Sequence, residues 1–247
     1  MKYLFVGDIH NHSYMFKDIE DLDNEYHFDR IIFMGDYVDD WNTTNRESLN
    51  TLERVLNLKY CLNKVTLLWG NHESSYCGYP CGGHMYELDD LMRSKLEVNI
   101  DCFDLYTTVM CGDTEYVCTH AGLNNGYIEE VLGGKDNWKA TLNKFNRDKL
   151  IHLDMLTPCT YMRGGNDPYS SFIWCDLHEQ PLDGKSRIIP YQIVGHTPCE
   201  TIQNIDGLFY IDTHSTYRDG TPFGDKSYLM WNEDRFTTIY NKQNFIE

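Results

Sequence analysis

One local pattern, met three times in the first third of the chain, narrows its fold more than any other feature. Tyr3 to Val6, Arg30 to Met34 and Val65 to Trp69 are short apolar runs, each closed by Gly and a polar residue. Runs of that length with such boundaries read as buried strands. Between the first two lies Ser13 to Tyr26, where Phe16, Ile19, Leu22 and Asp23 form a helical stripe. Between the second and third lies Thr44 to Tyr60, with Leu49, Leu52, Leu56 and Tyr60 at helical spacing. Its opening, Thr44-Asn45-Arg46-Glu47, has the form of a capping box. The order βαβαβ predicts parallel strands joined by right-handed crossovers.

Beyond Asp104 the texture changes. Leu105 to Met110 and Glu115 to Thr119 read as a hairpin around Cys111-Gly112-Asp113, and Asn125 to Leu156 reads as a polar, helical stretch. Tyr191 to Val194, Thr201 to Ile205, Leu208 to Ile211, Ser227 to Trp231 and Phe236 to Tyr240 look like successive strands. The second half is therefore expected to supply a largely antiparallel sheet facing the first. No linker, repeat or low-complexity tract interrupts the chain, and 247 residues form one core comfortably, so residues 1–247 are read as a single domain.

Charge limits the partners. Asp and Glu number 38 against 21 Lys and Arg, a net charge of −17, and such a field repels polyanions. Extended nucleic-acid binding is not expected, although bound divalent cations would reverse the sign at one site. Nine scattered Cys point to a reducing, cytoplasmic compartment. Cys77 and Cys81 are spaced C-x-x-x-C, but no second Cys/His pair follows to complete a zinc site. Met1 to Val6 is too short for a signal-peptide core, and no run approaches the ~20 apolar residues that span a bilayer, so no membrane partner is expected.

The polar loops carry the chemistry. After the three strands come Gly7-Asp8-Ile9-His10, Gly35-Asp36-Tyr37-Val38-Asp39 and Gly70-Asn71-His72-Glu73. Thr119-His120-Ala121-Gly122 follows the hairpin, and Gly195-His196-Thr197-Pro198 follows the strand ending at Val194. Ligands of open α/β sheets bind outside the carboxyl ends of strands, so these loops should share one crevice. Any one of them alone is more often an ordinary strand-end turn; five in order are not. Carboxylates, an amide oxygen and imidazoles together suit Mn, Fe or Zn better than Ca.

This ordered set resembles the calcineurin-like metallophosphoesterase superfamily, within it the phosphoprotein phosphatase branch that includes small bacterial and phage enzymes, over Met1 to about Thr213. The resemblance implies a mixed α/β fold in which two mixed β-sheets pack as a sandwich flanked by helices, the four-layer metallophosphoesterase architecture. It implies two divalent transition-metal ions, Mn first and Fe or Zn as alternatives. Asp8 and His10 would hold one ion, Asp36 would bridge, and Asn71, His120 and His196 would complete the other. A water between two ions ~3.5 to 4 Å apart ionises near neutral pH and attacks phosphorus. His72 would then protonate the leaving alkoxide, with Asp39 orienting its ring.

Departures from the family bear on substrate. Asp39-Asp40-Trp41 stands where the family has Asp-Arg-Gly, and Asp176 follows Trp174-Cys175 where a second Arg is common. Two phosphate-gripping guanidiniums are thus replaced by carboxylates. Arg163 and Arg218 are the candidate replacements. The expected activity is phosphomonoester hydrolysis on a phosphorylated protein or small molecule. The alternatives are a phosphodiesterase or nucleotide hydrolase, since a diester carries one charge fewer, and a non-catalytic binding module keeping the fold.

Overall fold

The computed structural model describes residues 1–77 and 89–241. Strands β1 (Lys2–Val6), β2 (Arg30–Phe33) and β3 (Val65–Leu68) are parallel neighbours, in register Tyr3 to Arg30 and Ile31 to Val65. Helices α1 (Tyr14–Tyr26) and α2 (Asn45–Cys61) are the crossovers. Thr44 and Glu47 exchange the two bonds of the capping box that starts α2. Along α2, Leu52, Val55 and Leu56 are buried, whereas Tyr60 is 63% exposed and leaves the expected stripe for a bond to Asn99. Asp23 of α1 sits at the stripe's edge, where Lys64 binds it at 2.6 Å.

Between β3 and the next strand of this sheet, β4 (Phe103–Asp104), come α3 (Asn71–Tyr76) and α4 (Asp89–Val98). The hairpin is β5 (Thr107–Cys111) and β6 (Thr114–Cys118), turning at Gly112 with φ +63°. Asn125 to Leu156 is not one helix. It breaks into α5 (Asn125–Glu130), α6 (Trp138–Arg147) and short 3-10 turns, because Gly133 and Gly134 take φ +82° and +81°. That left-handed backbone ends a right-handed helix.

The second sheet is mixed rather than largely antiparallel. β7 (Gln192–Pro198) runs parallel to β6 and to β9 (Leu208–Asp212), and β8 (Gln203–Ile205) closes the edge antiparallel to β9. The last two strands, β10 (Tyr228–Asn232) and β11 (Arg235–Ile239), join the first sheet, β10 antiparallel to β1. The reason is burial. Leu229 and Trp231 pack between the sheets while Tyr228 and Met230 pack toward the helices, so β10 needs cover on both faces.

The period-two alternation of strands divides the core. Tyr3, Phe5, Ile32, Met34 and Leu68 face Val109, Tyr116, Cys118, Ile193, Phe209 and Ile211 across the sandwich. Leu4, Val6, Ile31, Phe33 and Leu67 face the other way, against Ile19 and Leu22 of α1 and Leu52 and Val55 of α2. Cys77 is a free thiol, and Cys81, its proposed partner in spacing, lies outside the described residues. Among the described residues no helix is long and apolar enough to cross a membrane.

Candidate active site

The carboxyl ends of β1, β2 and β3 and the ends of β6 and β7 gather at one rim of the sandwich, and Asp8, His10, Asp36, Asn71, His120 and His196 meet there. His120 is the best-placed centre of one group. Its Nε2 lies 2.8 Å from Asn71 Oδ1, 3.1 Å from His196 Nδ1 and 3.3 Å from Asp36 Oδ2. In a second group, His10 Nε2 is 3.8 Å from both Asp8 Oδ2 and Asp36 Oδ2, and His72 is within reach as well. Asp36 belongs to both.

Local backbone aims these side chains. His10, Asp36, Asp39 and His196 take φ of +42°, +47°, +64° and +62°. Such left-handed conformations favour Asn, Asp and His among non-glycine residues, and their strain is characteristic of functional sites. His196 is not after its strand but inside β7, where the register shifts between Val194 and Pro198. A bulge there turns the imidazole off the pleat and into the cleft. Asn71 and His72 open α3 instead of sitting in a loop. Of the glycines, Gly35 is needed for its φ of +108°, whereas Gly70 and Gly195 are needed for close approach. A Cβ on Gly70 would lie 2.2 Å from Asp36 Oδ1, and one on Gly195 2.2 Å from Asp8 Oδ1.

Hydrogen bonds assign the tautomers. His10 Nδ1 donates to the Asp39 carbonyl at 2.7 Å and His120 Nδ1 to the Met34 carbonyl at 2.7 Å, so each presents a lone pair at Nε2. Burial, with Arg163 and His120 nearby, holds His196 neutral, its pKa well below the ordinary imidazole value. Burial works against charge on Asp36, but His120 and His72 outweigh it and keep the carboxylate ionised. Burial, Asp212 and Asp36 push Asp8 well above the usual range. Glu73 is pushed up to about 7 by burial and Asp36, although its oxygens accept the N–H groups of Asp36, Tyr37 and Gly70.

Asp8, Asp36, Asp212 and Glu73 are thus all buried, and the Nε2 atoms of His10 and His120 lie 3.8 Å and 3.3 Å from Asp36 Oδ2. Buried carboxylates that repel one another are stable when cations bind between them, and this mixed oxygen and imidazole set fits transition-metal ions. The residues present therefore fit the metals that the sequence implies.

His72 stands apart from the other imidazoles. Its Nδ1 donates to Asp39 Oδ2 at 3.0 Å, its backbone N–H donates to Asp36 Oδ1 at 2.9 Å, and its side chain is 16% exposed. Burial resists protonation, yet Asp36 and the bond to Asp39 push its pKa up to about 9. Asp39 is itself held by Tyr76, whose hydroxyl donates to Oδ1 at 2.5 Å.

A cleft of about 460 Å³ opens over these groups, lined also by Asp40, Trp41, Arg163, Trp174, Pro198, Ser215 and Thr216. The structure brings Arg163 into it and leaves Arg218 exposed outside the lining, its carbonyl accepting from Asn42. Asp176 and Asp40 are not bare charges in the cleft. Asp176 Oδ2 is 2.8 Å from Arg163 Nε, and Asp40 Oδ2 is 3.2 Å from His12 Nε2. Glu73, Tyr76 and Asp212 were given no role from sequence. Glu73 and Asp212 carried a signal, a carboxylate at a strand-end or helix-start position like the others, whereas Tyr76 carried none.

Comparison with known proteins follows the same lines. The chain is 25% identical over 243 residues to the serine/threonine-protein phosphatase 6 catalytic subunit of Drosophila melanogaster, covering 93% of this chain and 69% of that protein. It is 31% identical over 124 residues to the serine/threonine-protein phosphatase ppe1 of Schizosaccharomyces pombe, 48% of this chain and 38% of that one. A cold-active protein-tyrosine phosphatase of a psychrophilic Shewanella species shares the fold, with a TM-score of 0.63 at 15% identity over 96% of this chain and 77% of that one. The sequence model described as calcineurin-like phosphoesterase matches residues 1–200, with all five donor loops inside that span. The chain belongs to this metal-dependent family and is a phosphoric ester hydrolase.

Proposed function

We propose that the chain is a single-domain, dinuclear phosphomonoesterase. The observation that carries this is that two groups of side chains with the geometry to hold a metal, His10, Asp36 and His72 in one and Asp36, His120 and His196 in the other, share Asp36. Asp8 and His10 would hold one ion, Asn71, His120 and His196 the other, and Asp36 both. Manganese is the first choice, with iron or zinc suited to the same donors. Two bound cations would supply an acidic water for attack on phosphorus and positive charge opposite the phosphoryl oxygens.

The protein's own groups do the rest. Asp39 turns the His72 ring so that its Nε2 is the proton-bearing atom left for the departing alkoxide. Cations at Asp36 would offset the strongest pull raising His72, bringing its proton into the range where it transfers readily. Arg163 reaches the cleft from the 3-10 turn Tyr161–Arg163 and can grip a phosphoryl oxygen while Asp176 and Thr197 steady it. Its presence supports a monoester substrate, on a protein or a small molecule. The ion pair with Asp176 also favours a second reading, a phosphodiester or nucleotide substrate, because a partly neutralised guanidinium suits a monoanion. The complete donor set supports an enzyme over a binding module, and free thiols such as Cys61 and Cys102 fit a reducing, cytoplasmic setting.

Two measurements test this. Metal analysis of manganese-loaded protein should find close to two ions per chain, as a dinuclear site requires. Turnover of para-nitrophenyl phosphate should exceed that of its bis ester. A single ion per chain, or a preference for the diester, would overturn the dinuclear or the monoester assignment respectively.

A further inference from the structure

The mouth of the cleft holds a side chain that neither the chemistry nor the core accounts for. Trp41 lines the same cleft as Asp36, His72, Arg163 and Trp174, yet its side chain is 59% exposed and has no ring partner among the described residues. By contrast Trp69 and Trp231 are packed in the core. The backbone beneath Trp41 is nevertheless firmly held. Asp40 Oδ1 accepts the Trp41 N–H at 2.8 Å and the Thr216 hydroxyl at 3.1 Å, while Asp40 Oδ2 faces His12. Next along the chain, Asn42 Nδ2 donates to the Arg218 carbonyl at 3.1 Å. Asp40 therefore acts as a bracket between the Trp41 loop and the segment at Thr216. A rigid backbone under an unpacked indole lowers the entropy cost of using that ring for binding.

Charge says what kind of group would use it. Arg163 is the arginine among the described cleft-lining residues, and it is already paired with Asp176. The cleft offers little for additional phosphates, whereas the open Trp41 indole offers an apolar face to the part of the substrate beyond the reacting phosphoryl. A cleft of about 460 Å³ has room for a ring of small-molecule size. We propose that Trp41 selects phosphate esters bearing a planar aromatic group close to the phosphoryl, by stacking on that group. This rests on the phosphoesterase reading above. Aryl phosphates and nucleoside monophosphates share the required chemistry.

The test compares phenyl phosphate, adenosine 5′-monophosphate and glycerol phosphate as substrates of the manganese-loaded full chain, in wild type, Trp41→Ala and Trp41→Phe. Trp41→Ala should lower the aromatic-to-glycerol ratio of kcat/KM about tenfold for at least one aromatic substrate, the scale of a stacking contact, and Trp41→Phe should restore most of it. The substrate that loses more tells whether the ring is the leaving group or a base. Titration with phenylphosphonate, which is not hydrolysed, reads the same contact as a weaker Kd in Trp41→Ala. An unchanged ratio together with an unchanged Kd overturns the proposal. If the wild type hydrolyses none of the three, the small-molecule monoester part of the proposed function fails instead, and the phenylphosphonate titration still decides the role of Trp41.

Discussion

The floor and the mouth of the cleft are built differently. On the floor, Asp8, Asp36, Asn71, His120 and His196 are all at most 7% exposed and are carried by strands, strand ends or a helix start, with His120 bonded to the Met34 carbonyl and to Asn71, and Asp8 and Asp36 accepting backbone N–H groups. At the mouth, Asp40, Trp41, Arg163 and Thr216 come from segments outside the sheets, and two of their contacts, Asp40 with His12 and the ion pair of Arg163 with Asp176, reach across loops. The difference shows how the work is divided. Lone pairs that must converge within a few ångströms need rigid supports, whereas groups that meet a substrate must stay open to it.

Substitutions on the floor should act on all substrates alike, and those at the mouth should discriminate. The largest effect is expected of Asp36→Asn, which removes a donor from both groups. Hydrolysis should fall to background and metal content should drop, and retention of full activity would break the division outright. His72→Asn should keep the ions and slow turnover by roughly 10²- to 10⁴-fold on esters with basic leaving alcohols, the scale of general acid catalysis. Loss of an ion in that variant would make His72 a ligand rather than a proton donor. Arg163→Ala should cost roughly tenfold to a hundredfold in kcat/KM for monoesters and less for diesters, as removal of a charged hydrogen bond would. Equal losses on both would move Arg163 from mouth to floor.

The smallest effect concerns His214, next to the mouth residues Ser215 and Thr216. It is buried against Tyr228, with ring centroids 4.6 Å apart, and burial lowers its pKa from 6.5 to about 3. The unfolded chain therefore takes the proton first as pH falls. The contribution of His214 to stability is full above about 6.5 and is lost progressively toward 3. One unit below 6.5 the loss should be about 1.4 kcal/mol, and thermal melts of His214→Phe should lack that acid-side slope. A variant melting with the same slope would show that His214 is not its source.

Much of the floor was legible because its signal is local. Three apolar runs closed by Gly and a donor name both the strand and the group it presents, and the capping box at Thr44 marks the start of α2 without reference to anything distant. The sheet assignment of β10 was not legible. Its alternation resembles that of any strand, and only its neighbours show that both faces are covered. The break at Gly133-Gly134 was visible as two glycines, but helical polarity over Asn125 to Leu156 outweighed it. Arg163 and Arg218 looked equivalent as cations, since a side chain's reach across loops leaves no periodic trace.

By itself the sequence determined the donor inventory, the parallel βαβαβ half and the family, because each rests on residues close together in the chain. Only the tertiary structure decided that a bulge in β7 aims His196, that Arg163 answers Asp176, and that Asp40 braces Trp41. Those relations join residues far apart in sequence, and their distances follow from how the two sheets pack, a property of the whole core that no local pattern encodes.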